Sequence, residues 1–155
     1  MNNKGIVLVS VLFLLLASSL LATGCTTQGN TSGNPGKNPS GPVEKVEVYH
    51  FHATRQCYSC IILGEYAEET VNTYFAPELA SGRVVFGHVN ANLPENKALV
   101  EHYGPTGSSL FIGVYDKDGF HKEENVNVWY RIGDKEEYMT YLRGVIEKRL
   151  AGDFS

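Results

Sequence analysis

Cys57-Tyr58-Ser59-Cys60 follows a strand-like run, Val46-Glu47-Val48-Tyr49-His50-Phe51, and opens a helix-like one. A strand, a short loop and then a CxxC at a helix start confine the chain to folds that seat two thiols at a helix N-terminus. Such a terminus carries partial positive charge and unpaired N–H groups, both of which favour a thiolate. The thiolate is the nucleophilic form of cysteine, so this placement makes the dithiol reactive. The cysteines are three positions apart, nearly one helical turn, which is close enough for a disulfide.

The rest of the chain divides around this core. Lys4 precedes an almost continuous apolar run from Ile6 to Ala22, and Leu21-Ala22-Thr23-Gly24-Cys25 follows with small residues before a cysteine. This pattern reads as a secretory signal and resembles a prokaryotic lipobox, with Cys25 as the lipidated mature N-terminus. Ala22 stands where a lipobox usually has leucine. An uncleaved signal anchor is the alternative. Either way the domain is expected outside the cytoplasmic membrane and attached to it. Residues 26–42, rich in Gly, Pro, Asn, Ser and Thr, contain no large apolar residue and read as a flexible tether. Setting Cys25 aside leaves two of the three cysteines, both in the CxxC, so residues 43–155 cannot be a disulfide-stapled scaffold. That stretch must stand on its own apolar core, and its length suits one domain. The net charge of −4 and the lack of a Lys/Arg cluster argue against nucleic-acid binding.

Along the domain, Val43 to Phe51 predicts a strand buried on both faces. Cys57 to about Phe75 predicts a helix with Leu63, Ala67, Thr70/Val71 and Tyr74 on its apolar stripe, stopped by Pro77 and Ser81-Gly82. Arg83–Asn90 predicts a second strand, Pro94–Tyr103 a short helix, and Ser109–Tyr115 a third strand. Asp116-Lys117-Asp118-Gly119 signals a hairpin into a polar edge strand over His121–Val128. Asp134 is placed to cap a last helix with Tyr138, Leu142, Ile146 and Leu150 at i+4 spacing. The order is β-α-β-α-β-β-α. Helical crossovers predict that the first three strands run parallel, with helices on both faces of a four-stranded mixed sheet.

That order, with CxxC at the end of the first strand, resembles the thioredoxin fold over residues 43–152. The resemblance implies a three-layer α/β/α sandwich and a thiol–disulfide oxidoreductase site, with Cys57 as attacking and Cys60 as resolving thiol. It implies protein disulfides or dithiols as substrates and no organic cofactor, while the expected location outside the membrane calls for a membrane redox partner to supply or remove electrons. Two departures stand out. The family's cis-proline beside the dithiol falls here on Ser108 or Ser109, and Pro105 lies about three residues early. The family's buried acid under the disulfide is also absent. His50 is the residue placed to accept the resolving proton, because imidazole titrates near neutrality.

The remaining candidates carry less. His50 and His52 share a strand face and with Cys57 and Cys60 could make a Cys₂His₂ metal site, the basis of an alternative metallochaperone reading. The competing reading has one histidine packed inside and the other at the strand end. Arg55, two residues before Cys57, either favours the thiolate or is a solvated loop arginine. Tyr58 and Ser59 do not set the direction of electron flow. Trp129 and Tyr130 read as core or domain-edge packing. His88, His102 and His121 look scattered. A non-catalytic interaction module that kept the fold is the third reading.

Overall fold

The computed structural model describes residues 42–155; the expected signal segment, Cys25 and all but the last residue of the expected tether lie outside them. Strand β1 (Lys45–His52) leads into helix α1 (Tyr58–Tyr74) and a short helix α2 (Ala76–Ser81). Strand β2 (Val84–Asn90), a 3₁₀ turn (Pro94–Asn96) and helix α3 (Lys97–Tyr103) follow. Strands β3 (Ser109–Asp116) and β4 (Gly119–Glu124), a second 3₁₀ segment (Val126–Arg131) and helix α4 (Lys135–Leu150) complete the domain.

The four strands form one sheet in the order β2-β1-β3-β4. β1 and β2 are parallel, from Val46 beside Val84 to His52 beside Asn90. β3 is antiparallel to β1, with Phe51 opposite Ser109, which corrects the expectation of three parallel strands. Helix α3 has seven residues and advances about 10 Å, against roughly 23 Å for a seven-residue strand. It crosses the sheet at the end where β1 and β2 finish, so β3 starts from that end and runs back. The turn at residues 116–119 then pairs β4 antiparallel at the edge.

Alternation along the central strand sorts its side chains into two layers. Val46, Val48 and His50 face α1 and α4, where Leu63, Ala67, Val71, Leu142 and Ile146 are fully buried. Tyr49 and Phe51 face α3 and join Val89, Phe111 and Tyr103 in a second, aromatic core. The architecture is the expected thioredoxin-like three-layer α/β sandwich.

Some boundaries differ from expectation. Pro77 does not simply end a helix: it lies in the first turn of α2, where its missing N–H costs nothing. β4 ends at Glu124, because the apolar Val126-Asn127-Val128-Trp129 run leaves the sheet and sinks Val128 into the main core with Trp129 packed beside it. Tyr74 is exposed, with the Arg143 guanidinium 4.9 Å from its ring centre. At α4 the Asp134 carboxylate accepts from the Glu137 N–H at 3.0 Å, as its capping position predicts.

Candidate active site

The end of β1 and the start of α1 place the two cysteines. Cys57 is the N-cap of α1, and its Sγ accepts a hydrogen bond from the Cys60 N–H at 3.1 Å. The two are joined as a disulfide, with Cα atoms 5.0 Å apart. Cys57 is exposed and Cys60 half-buried. No carboxylate occupies the first turn of α1, so its positive end is not neutralised locally. An exposed sulfur that receives a backbone N–H at a helix start suits attack on an external disulfide. The shielded sulfur suits the internal, resolving step.

The dithiol borders a cleft of about 470 Å³ lined by His52–Ala53, Arg55–Gln56, Ala91–Asn92 and Pro105–Ser108. Thr54 bridges to the facing loop, its N–H donating to the Asn92 side-chain oxygen at 2.8 Å. Arg55 is exposed on this rim. Ser108 lines the cleft and its buried hydroxyl oxygen has no hydrogen-bond partner. Ser109 is buried outside that lining, and its hydroxyl donates to the Gly107 carbonyl at 3.1 Å. Every peptide bond among the described residues is trans, including the one before Pro105. Cys57, Cys60, Arg55, His52 and Ser108 therefore meet at one cleft.

His50 lies beneath it, 1% exposed, on the α1 side of the sheet. Gly64 makes room for the imidazole: a Cβ there would collide with Nδ1 and Cε1 of His50. Burial pushes the His50 pKa down to about 4, helped by His88 and His52, while the Cys60 carbonyl works the other way. His50 is thus a neutral base over the whole range in which thiols exchange. Its Nδ1 lies 2.9 Å from Nδ1 of His88, and its Nε2 has no partner. His88 Nε2 in turn lies 3.3 Å from Oε2 of Glu68.

His88 and Glu68 were not legible as site residues, and the reason is cross-strand register. His88 is the direct neighbour of His50 on β2, thirty-eight residues away in sequence. One signal was present: Cys60, Gly64 and Glu68 recur every four residues and so share a face of α1. His50 and His52 are close, with ring centres 5.2 Å apart. Among the described residues, no group of three or more His, Cys, Asp or Glu side chains is arranged to hold a metal ion.

On the opposite face a second polar cluster is structural. Glu47, nearly buried, accepts from the Tyr103 hydroxyl at 2.7 Å and from Lys45 at 2.6 Å. Burial and the neighbouring carboxylate push the Tyr103 pKa up, so the phenol stays a donor. Gly113 is required beside it, since a Cβ there would strike the Tyr103 hydroxyl and the Phe120 ring.

No family model and no curated protein matches the sequence. Among solved structures the chain is similar to the Trx4 domain of ERdj5, at 16% identity, covering 68% of this chain and 82% of that one, with a TM-score of 0.44. It is also similar to a structure described as that of a malarial protein, at 17% identity, covering 68% and 98%, with a TM-score of 0.41.

Proposed function

We propose that this chain is a thiol–disulfide oxidoreductase held outside the cytoplasmic membrane by its N-terminus. The observation that carries the chemistry is the exposed Cys57 sulfur at the N-cap of α1, receiving the Cys60 N–H and bonded to a shielded Cys60. In the reduced protein the same N–H and the helix dipole stabilise a Cys57 thiolate. That thiolate attacks one sulfur of a partner disulfide, forming the mixed disulfide and expelling the other sulfur as a thiolate. Cys60 then loses its proton to His50, attacks Cys57, and releases the partner reduced. The reverse sequence oxidises a dithiol. The cleft beside the dithiol is lined by polar side chains such as Arg55, Gln56 and Asn92 and by the Pro105–Ser108 loop, a surface that suits an extended partner segment and supports protein substrates. The apolar Ile6–Ala22 run and Cys25 support the anchor, and the polar tether gives the domain reach to envelope proteins and to a membrane redox partner.

Three experiments test this. Cys57→Ser should abolish exchange with disulfide substrates, and full activity in that variant would end the redox assignment. Titration of the full chain in glutathione buffers then reads the direction. A potential near or below about −230 mV marks a reductant, and one near about −120 mV an oxidant. Cys25→Ser should release the protein from the membrane fraction if Cys25 is lipidated, whereas an uncleaved anchor would hold it there.

A further inference from the structure

Resolution of a mixed disulfide by Cys60 needs a path for one proton, and any role for such a path rests on the oxidoreductase reading. Cys60 is half-buried where it borders the cleft, so its thiol is partly screened from bulk water when it becomes the nucleophile. The Cys60 backbone carbonyl adjoins the imidazole of His50, whose Nδ1 is bonded to His88 and whose Nε2 has no hydrogen-bond partner.

With His88 neutral and a carboxylate at its outer nitrogen, the two contacts assign the nitrogens. A carboxylate only accepts, so at this contact His88 donates from Nε2. A neutral His88 then has its lone pair on Nδ1. The His50–His88 contact joins Nδ1 to Nδ1, so His50 must donate there. A neutral His50 therefore carries its lone pair on Nε2, the buried atom that no protein group satisfies. Each bond in the series points outward, and the inner end is an open acceptor. The outer members reach solvent: the His88 and Glu68 side chains are 37% and 49% exposed.

We propose that His50, His88 and Glu68 form a proton outlet for the resolving thiol. As Cys60 attacks, its S–H bond breaks and the proton joins His50 Nε2, while the electron pair stays on sulfur and forms the bond to Cys57. The His50 Nδ1 proton moves to His88 Nδ1, the His88 Nε2 proton moves to Glu68, and water takes it from there. The partner sulfur leaves as a thiolate. No oxidant or reductant beyond the partner disulfide enters.

The surroundings favour transit over storage. The titratable groups about His50 are His52 on its own strand, His88 on β2, and Cys60 and Glu68 on α1; β3 offers only Leu110 opposite. The one carboxylate among them, Glu68, stands at the far end. His50 is a poor place for a positive charge, so a proton that reaches it is driven on. His88 and Glu68 act through His50 and are positioning residues.

The test is the pH profile of the resolving step. The full chain carrying Cys25→Ser, so that the dithiol holds its only thiols, is reduced and mixed with oxidised glutathione. Acid quenching and mass spectrometry follow the Cys57–glutathione adduct as it forms and decays, so the two steps are read separately. Glu68→Gln and His88→Ala should form the adduct at the parent rate but resolve it about tenfold more slowly near pH 7, a fraction of what a positioned base contributes. The deficit should narrow as pH rises past the free-thiol value of about 8.5, because a thiolate needs no base. Imidazole buffer should restore part of the His88→Ala rate.

Parent-like resolution in both variants at every pH overturns the outlet. So does a slowing that is equal at all pH, which would mark a purely structural defect. Glu68 is on the surface, so Glu68→Gln decides the matter even if His88→Ala folds poorly. Failure of the parent chain to form any adduct overturns the redox reading, and the outlet with it. An adduct that forms normally and resolves at the parent rate in Glu68→Gln overturns the outlet alone.

Discussion

Gly64 is a residue whose substitution should reverse an ordinary rule. Replacing glycine by alanine inside a helix normally stabilises by about 1 kcal/mol. Here the new Cβ would collide with the His50 ring, which the sheet holds from below. Overpacking of this kind costs roughly 1–3 kcal/mol. Gly64→Ala should therefore lower the denaturation midpoint and slow resolution of a mixed disulfide, because the displaced ring is the proposed base. A midpoint above that of the parent would show that the ring yields freely. The same residue shows the limit of reading one element at a time. Gly64 sits mid-helix with no turn to explain it, and only the imidazole beneath gives it a purpose.

At the scale of elements, α1 and α4 are tied by one buried bond. The Tyr138 hydroxyl on α4 donates to the Leu63 carbonyl on α1 at 2.8 Å, and Tyr138 is fully buried. Burial also pushes its pKa up, so it remains a donor at all working pH values. Tyr138→Phe keeps the ring and loses the bond, which should cost about 1 kcal/mol. Urea unfolding measures this, and an unchanged midpoint would mean the bond contributes nothing net. Both helices were legible from their i+4 stripes and the Asp134 cap, because helical signals lie within a few residues of one another. The direction of β3 was not. A helical crossover suggests parallel strands, but α3 is too short to carry the chain back along the sheet, so the strand reverses.

For the whole molecule, His50 makes stability depend on pH. Its pKa falls from 6.5 to about 4 on folding. Between those values the unfolded chain binds the proton and the folded chain does not. Stability from this group is therefore complete above about pH 6.5 and declines as pH falls toward 4, by at most roughly 3 kcal/mol. Below about pH 4 it changes no further. Urea midpoints across this window, compared with His50→Asn, isolate the group from the carboxylates that titrate nearby. A decline of equal size in the variant would remove His50 as its cause.

The amino-acid sequence by itself determined the element order, the β1–CxxC–α1 junction, the edge position of β4 and the apolar stripe of α4. Each follows from local periodicity, a cap or a turn, and all are written within one or two helical turns or strand lengths. Tertiary structure alone decided that β3 runs against β1, that His88 stands beside His50, and that Glu68 completes an outward series of hydrogen bonds. Those facts depend on strand register and on which face of a helix meets the sheet. They join residues twenty to seventy positions apart, and no local rule links such positions until the sheet closes.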